Sequence, residues 1–165
     1  MADLDITVRT VNTHGGVERY AKRLKGISEK FYEEVSSASL KPVLESLITV
    51  KKEKVWLEIV NLVVPTLNDD PKMIGQMCQW IRENLGIDTP LHFTRFFPNY
   101  KLTHLPPTPV STLESAYEIA KNKGLRYVYI GNVPGHIQNS TFCPSCNRKL
   151  IHRTHFDVLE ENVSN

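Results

Sequence analysis

The sequence has few of the features that mark several large classes of protein. It contains only three cysteines in 165 residues, which is too few for the disulfide framework of a small secreted domain. Its net charge is only +2, with both signs interspersed, so we expect no nucleic-acid partner and no membrane-surface binding. It shows neither an apolar run of transmembrane length nor the apolar core of a signal peptide. These absences predict a cytoplasmic protein, and a length of 165 residues predicts one domain or a large piece of one.

Three strand-then-helix units repeat from the middle of the chain onward. The predicted strands cover residues 55–64, 91–97 and 127–133, and the first is almost wholly apolar, as a parallel strand covered on both faces should be. Asp70 marks the start of the helix after the first strand, and Gly86 marks its end. The strands begin about 35 residues apart, the spacing of βαβ units in a parallel sheet or (β/α) barrel. The fold class is therefore α/β.

Other boundaries are less sharply defined by the sequence. Residues 4–11 can form a strand and residues 17–24 a basic helix, while Lys41 and the proline after it begin a further helix. The helix before the third strand has two equally good starts, a capping box at residues 111–114 or Thr108 followed by proline. The total is three or four βα units, too few to close an eight-stranded barrel.

Polar residues follow each predicted strand, and parallel α/β folds place their chemistry at these C-terminal strand ends. Asn61 lies at the end of the first strand, Arg95 and Tyr100 at the second, and Asn132 and His136 at the third. As a set they suit a polar ligand that is anionic or zwitterionic. Taken singly, each is better explained by capping a loop or satisfying the backbone, whereas the set as a whole favours a functional role.

Arg95 is the sharpest case, because it lies within an apolar strand where an unpaired charge is costly. Two explanations are equally good. Arg95 pairs with Glu58 or Asp69 as a structural bridge, or it reaches a carboxylate or phosphate of a ligand. Glu58 is equally ambiguous, since a carboxylate within a buried strand needs a partner.

Cys143 and Cys146 have the C-x-x-C spacing of a zinc knuckle, and we call residues 143–146 the knuckle. A helix-initiating redox pair is less favoured, because no helical pattern follows. The downstream histidines belong to a strand-like segment at residues 150–156, and Cys78 falls on a buried helical stripe as a core thiol. Two thiolates make half of a four-ligand site, so zinc here requires further ligands.

Four segments resemble the radical S-adenosylmethionine (SAM) enzymes related to pyruvate formate-lyase activating enzyme. They are residues 56–69, 92–102, 106–109 and 127–136. Their Pro-Pro-Thr-Pro and Gly-Asn-Val-Pro-Gly-His blocks resemble most the group called the AmmeMemoRadiSam-system radical SAM enzymes. The resemblance implies an incomplete (β/α) barrel with a partial C-terminal ribbon of zinc type. It also implies a [4Fe-4S] cluster and SAM, whose reductive cleavage yields a 5′-deoxyadenosyl radical that abstracts hydrogen from a substrate. The residues it places near SAM or substrate are Lys25, Asn61, Arg95, Tyr100, Asn132 and His136.

The chain departs from this family at several positions. The family's C-x-x-x-C-x-x-C cluster motif is absent, and cysteines at positions 78, 143 and 146 do not reproduce its spacing. Only Lys25 remains of the Asp-x-Lys of relatives, Phe97 stands where they often carry histidine, and Thr66 stands where they carry glycine. We therefore expect that this chain alone does not cleave SAM.

The resemblance divides the chain into three expected parts: a poorly matched segment at residues 1–25, a partial radical SAM barrel at residues 26–136, and a partial cysteine-knuckle tail at residues 137–165. Two explanations account for the missing cluster motif. Either the coding region is truncated or split, so that a separate N-terminal half supplies the cluster, or a stand-alone protein has lost catalysis. The rival function is a non-catalytic binding module. Because a half-barrel has two unpaired edges, it is expected to form a homodimer or to pair with the separate N-terminal half.

Overall fold

The computed structural model describes residues 19–29, 32–33, 39–154 and 157–163, with only the backbone described at residues 19–23. The strand expected at residues 4–11 lies outside this part. The described chain is a mixed α/β structure with a four-stranded parallel sheet, three helices and a three-stranded antiparallel sheet. No helix in the described ranges is long and apolar enough to cross a bilayer.

The parallel sheet has its strands in sequence order, β1-β2-β3-β4. They are β1 Arg19–Arg23, β2 Trp56–Val63, β3 Leu91–Arg95 and β4 Val128–Gly131. Three helices whose full range is described lie between consecutive strands: α1 Leu40–Lys52, α2 Pro71–Asn84 and α3 Val110–Asn122. The three predicted strands are confirmed, each one or two residues shorter at its ends than expected. A helix follows the first and the second, whereas β4 leads into a short 3-10 turn and the antiparallel sheet, so the third predicted unit has no helix in the described part of the chain.

The basic helix predicted at residues 17–24 is wrong for its described part, because Arg19–Arg23 is a β-strand. All five residues of β1 pair in parallel with β2, and the Leu24 amide extends the ladder by donating to the Val60 carbonyl at 3.0 Å. Pairing with a distant apolar strand outweighs the weak helical pattern of this short segment.

Burial alternates along the strands, so the expectation that the first strand is covered on both faces is wrong. One set of residues packs on the helices in a single core: Leu57, Ile59, Val63, Leu91, Phe93, Val128 and Ile130. The intervening residues of β2, β3 and β4 are only partly buried, and Trp56 is 45% exposed. Connections between parallel strands are right-handed as a rule, so successive neighbouring strands in this order bring α1, α2 and α3 to the same face of the sheet. The other face, which we call the open face, receives none of them.

Helix boundaries follow local chemistry in one case and tertiary contacts in another. The Asp70 side chain accepts a hydrogen bond from the Met73 amide at 2.8 Å, and Gly86 adopts φ +94°, as predicted for the two ends of α2. α3 begins at Val110 after Pro109 and has no side-chain cap, so the predicted capping box is wrong. Its start agrees with the Thr108 alternative, but the Thr108 hydroxyl bonds elsewhere.

The antiparallel sheet consists of β5 Thr141–Phe142, β6 Lys149–Thr154 and β7 Asp157–Glu161. The strand predicted at residues 150–156 is confirmed as far as Thr154. Thr141 joins this sheet to the open face, because its hydroxyl shares a 3.0 Å hydrogen bond with the Tyr129 hydroxyl and accepts another from Arg153 Nη1 at 2.6 Å.

Candidate functional site at the strand ends

Hydrogen bonds connect the C-terminal ends of the four parallel strands, which we call the rim. The buried side chain of Asn68 links β1 to β2. Its Nδ2 donates to the Lys25 carbonyl at 2.6 Å, and its Oδ1 accepts from the Val64 amide at 2.6 Å. The backbone after β1 is thus attached to the loop that follows β2.

Thr108 makes the corresponding link between β2 and β3. Its fully buried hydroxyl donates to the Val63 carbonyl at 2.6 Å and accepts from the Phe96 amide at 3.1 Å. Its own carbonyl accepts from Arg95 Nε at 2.8 Å. The sequence offered Thr108 only as a helix start. Its one signal was a small hydroxyl residue in a proline-rich loop, which does not reveal contacts with two distant strand ends.

Arg95 lies at the centre of the rim. Its guanidinium lies over the Phe97 ring at 5.0 Å, and its carbonyl accepts from Asn132 Nδ2 at 3.1 Å, which links β3 to the loop after β4. In the described part of the chain, Arg95 forms no ion pair with Glu58 or Asp69, so the structural bridge is not observed. Nε is occupied, whereas the two terminal nitrogens bond to no described residue, so they can meet a carboxylate in the two-pronged manner of arginine.

Glu58 instead pairs with His92 on the open face. Glu58 Oε2 lies 2.9 Å from His92 Nε2, and Glu58 Oε1 accepts from Trp56 Nε1 at 2.8 Å. The His92 ring stacks on Tyr129 with centroids 4.8 Å apart. Burial raises the pKa of the Tyr129 hydroxyl, which therefore stays protonated at neutral pH. His92, which the sequence left as structural, thus has a carboxylate partner.

The loop after each of β2, β3 and β4 contains a residue with positive φ that is not glycine. They are Thr66 at +67°, Tyr100 at +50° and Asn132 at +58°. This conformation suits asparagine but is unfavourable for a β-branched residue such as threonine, so the backbone at Thr66 is strained. Such backbone conformations are concentrated at functional sites, and here they occur at three neighbouring strand ends.

The other residues expected at the site have different surroundings. Asn61 is 1% exposed on the helix-covered face of β2, where its Nδ2 donates to the Leu24 carbonyl at 2.6 Å. Tyr100 is 82% exposed. His136 is nearly buried, with Nε2 3.3 Å from Glu114 Oε1 on α3, while Gln138 N donates to its Nδ1 at 3.2 Å. The structure therefore brings Lys25, Arg95 and Asn132 into one hydrogen-bonded rim and places Asn61 beneath it.

The knuckle is a tight turn between β5 and β6. The Cys143 amide donates to the Arg148 carbonyl at 2.8 Å, and the Asn147 amide donates to the Cys143 carbonyl at 2.9 Å. Hydrogen bonds from the backbone amides of Cys146 and Ser145 lower the pKa of the Cys143 thiol, which favours the thiolate that binds metal. A strand and not a helix follows, as predicted. A cleft of about 460 Å³ separates the knuckle from α3 and β4.

The described residues do not fit a [4Fe-4S] cluster. Within the described ranges, no three histidine, cysteine, aspartate or glutamate side chains converge to hold a metal. The third cysteine, Cys78, is fully buried on α2, where burial raises the pKa of its thiol to about 12. An exposed cluster needs three convergent thiolates, and this arrangement does not supply them.

Comparison with known proteins gives a relative in sequence and solved structures of similar fold. No family model matches the chain. An uncharacterized protein of Methanocaldococcus jannaschii is 48% identical over 140 residues, which are 85% of this chain and 42% of that protein. The chain therefore spans less than half of the length of this relative. A domain of pyruvate-formate lyase-activating enzyme from Bacteroides vulgatus superposes with a TM-score of 0.59 at 14% identity, over 70% of this chain and 68% of that one. At this identity, the likeness shows a common fold.

Proposed function

We propose that this chain is the C-terminal half-barrel of a radical SAM protein of the activating-enzyme type, in which the rim binds SAM or the substrate. The observation that carries the proposal is the sheet order β1-β2-β3-β4 with every helix on one face. This is the arrangement of consecutive units of a (β/α) barrel, whereas doubly wound sheets reverse their order and carry helices on both faces. The fold shared with the activating-enzyme domain supports it.

In this proposal, each rim residue has a chemical role. Lys25, which is exposed, and the terminal nitrogens of Arg95, which bond to no described residue, offer positive charge to a carboxylate such as that of SAM. Asn132 offers an amide at the adjoining strand end. Tyr100, which is highly exposed, contacts the outer part of the ligand, and His136 supports the loop after β4 against α3. When bound, SAM would supply the radical chemistry only together with a cluster that these residues do not hold.

We further propose that a second polypeptide supplies the cluster and pairs with the sheet at β1 or β4, which each have one neighbour among the described strands. The proposed barrel portion is residues 26–136 preceded by β1, and the proposed ribbon portion is residues 137–165. Zinc at Cys143 and Cys146 would take its remaining ligands from a second copy or from the second polypeptide. The same strand edges favour the alternative function, a non-catalytic module that dimerises.

Anaerobic reconstitution with iron and sulfide tests the proposal. We expect the isolated chain to bind no cluster and to form no 5′-deoxyadenosine. Adding the portion of the Methanocaldococcus jannaschii relative that lies outside the matched region should restore both, and Arg95→Gln should reduce 5′-deoxyadenosine formation in the mixture relative to the exposed control Arg148→Gln. Absence of rescue by that portion would refute the split-enzyme proposal and favour the binding module.

Metal analysis tests the knuckle separately. We expect roughly one zinc per two chains for a site shared by two copies. Cys143→Ser should abolish binding, whereas Cys78→Ser should leave it unchanged, because Cys78 is buried in the core. A lower zinc content would count against a shared site.

A further inference from the structure

We infer that Tyr32, Asn61 and Asn68 form a clamp that positions Lys25 at the rim for contact with a carboxylate of the ligand. We call these three residues the Lys25 clamp. The Lys25 amide donates to the Tyr32 hydroxyl at 3.1 Å, and the Lys25 carbonyl accepts from Asn68 Nδ2 at 2.6 Å. The preceding carbonyl, that of Leu24, accepts from Asn61 Nδ2 at 2.6 Å.

The clamp is buried and joins parts of the chain that are far apart in sequence. Tyr32 and Asn68 are each 3% exposed and Asn61 is 1% exposed. The carboxamides of Asn61 and Asn68 reach segments 37 and 43 residues away. Burying a carboxamide is unfavourable unless it forms hydrogen bonds, and Asn61 Oδ1 has no partner among the described residues. Apolar side chains would fill these positions at a smaller desolvation cost. The two carboxamides are therefore explained by the hydrogen bonds that they donate to the consecutive carbonyl groups of Leu24 and Lys25.

The held backbone carries an exposed lysine. Leu24 is fully buried, whereas Lys25 is exposed and lies just beyond the C-terminal end of β1. A lysine ammonium is a point charge on a flexible stem, so fixing its backbone reduces the freedom that is lost when it meets an anion. Three of the backbone groups of Leu24 and Lys25 are fixed by side chains, which is the arrangement expected beneath a binding residue.

This inference rests on the proposed function, because it takes SAM as the ligand that carries the carboxylate. It adds positioning residues that the sequence did not identify. Asn61 was expected to contact the cofactor and here acts through Leu24. Asn68 was expected to lie in a loop, and Tyr32 carried no prediction. Burial raises the pKa of the Tyr32 phenol, so it remains neutral beside the Lys25 amide at physiological pH.

Amide hydrogen exchange tests the clamp without any ligand. Tyr32→Phe removes one acceptor with little change in volume, and Asn68→Ala removes the Lys25 carbonyl contact. We expect exchange of the Lys25 amide to rise about tenfold in both variants, while amides of β4 keep their rates. The matched control is Asn84→Ala, an exposed asparagine that donates to the Trp80 carbonyl. Unchanged exchange at Lys25 in both variants would overturn the inference.

Affinity for SAM and for decarboxylated SAM, measured by calorimetry on the full chain, tests the function of the clamp. We expect Asn68→Ala to weaken SAM binding about tenfold, Tyr32→Phe about threefold, and neither to alter binding of the decarboxylated compound. Lys25→Met should remove the preference for SAM, and adding Asn68→Ala to it should remove nothing more.

Each other outcome is decisive. Equal losses for both compounds would show that the clamp only stabilises the fold, which overturns the inference. If the wild-type chain binds neither compound, both SAM binding by this rim and the function assigned to the clamp are refuted. The exchange data then still show whether Lys25 is held, so the two failures are distinguishable.

Discussion

Replacing Thr108 with valine tests whether one buried hydroxyl holds the rim together. Thr108→Val keeps the shape of the side chain but leaves the Val63 carbonyl and the Phe96 amide without the hydroxyl. A buried group without a partner costs about 1–3 kcal/mol, so we expect the free energy of unfolding to fall by about 3 kcal/mol for the pair.

Thr108→Ser is the matched variant, because it keeps the hydroxyl and loses only the methyl group. It should cost about 1 kcal/mol, the typical value for one buried carbon. In a domain of this size, 1 kcal/mol shifts Tm by about 2–4 °C, so the expected shifts are about 6–12 °C for valine and 2–4 °C for serine.

Thermal unfolding followed by circular dichroism, with a urea titration, measures both variants. If Thr108→Val is as stable as Thr108→Ser, the hydroxyl does not join β2 to β3. The packing of the methyl group would then be the reason for threonine at this position.

Three further predictions concern strain, accessibility and packing. Thr66→Gly should raise the free energy of unfolding by about 1 kcal/mol, because φ is +67° there, and a lower Tm would contradict this. Alkylation of the native, metal-free chain at pH 8 should label both knuckle cysteines and not Cys78, whose thiol is buried with a pKa of about 12. Mass spectrometry of the labelled peptides measures this, and a labelled Cys78 peptide would contradict the prediction. Gly131→Ala should lower the free energy of unfolding by about 1–3 kcal/mol, because its Cβ would lie 2.9 Å from Thr94 Cγ2. Adding Thr94→Ser, which removes that methyl group, should recover most of the loss in urea unfolding, and no recovery would contradict the clash.

The two end strands of the parallel sheet, β1 and β4, are the expected places for pairing with another chain. β4 ends at Gly131 and β1 at Arg23, and each of these two strands has one neighbour within the described ranges. The Methanocaldococcus jannaschii relative is more than twice as long as the region that matches this chain, so it has enough additional residues for further strands. Whether a second copy or a second polypeptide meets these edges depends on backbone pairing, which residue identity constrains only weakly.

Local chemistry explains the predictions that the structure confirmed. Asp70 caps α2 through its own side chain, and Gly86 ends it through its own φ, so a few adjacent residues suffice for both. The apolar runs of β2, β3 and β4 were predicted as strands. They are apolar because one face of each strand is buried against the helices and the other face is partly buried.

Other features were not accessible to sequence reasoning. The stretch before Leu24 was predicted as a helix, since the strand β2 that pairs with it begins more than thirty residues later. The one-sided helix layer follows from the hand of three successive crossovers, which no single segment encodes. Thr108 and Asn68 look like loop residues until the strand ends that they join are brought together.

The sequence by itself determined the alternation of strands and helices, the knuckle and the absence of a cluster motif, because these depend on residue type and spacing along the chain. Only the tertiary structure decided which polar residues form the rim. Asn61 lies near the end of one apolar strand and Asn132 just after another, yet Asn61 is buried beneath the rim and Asn132 lies on it. The side of the sheet that a residue faces, and the distant backbone group that it meets, are set by strand register and crossover hand. Both are properties of the assembled sheet.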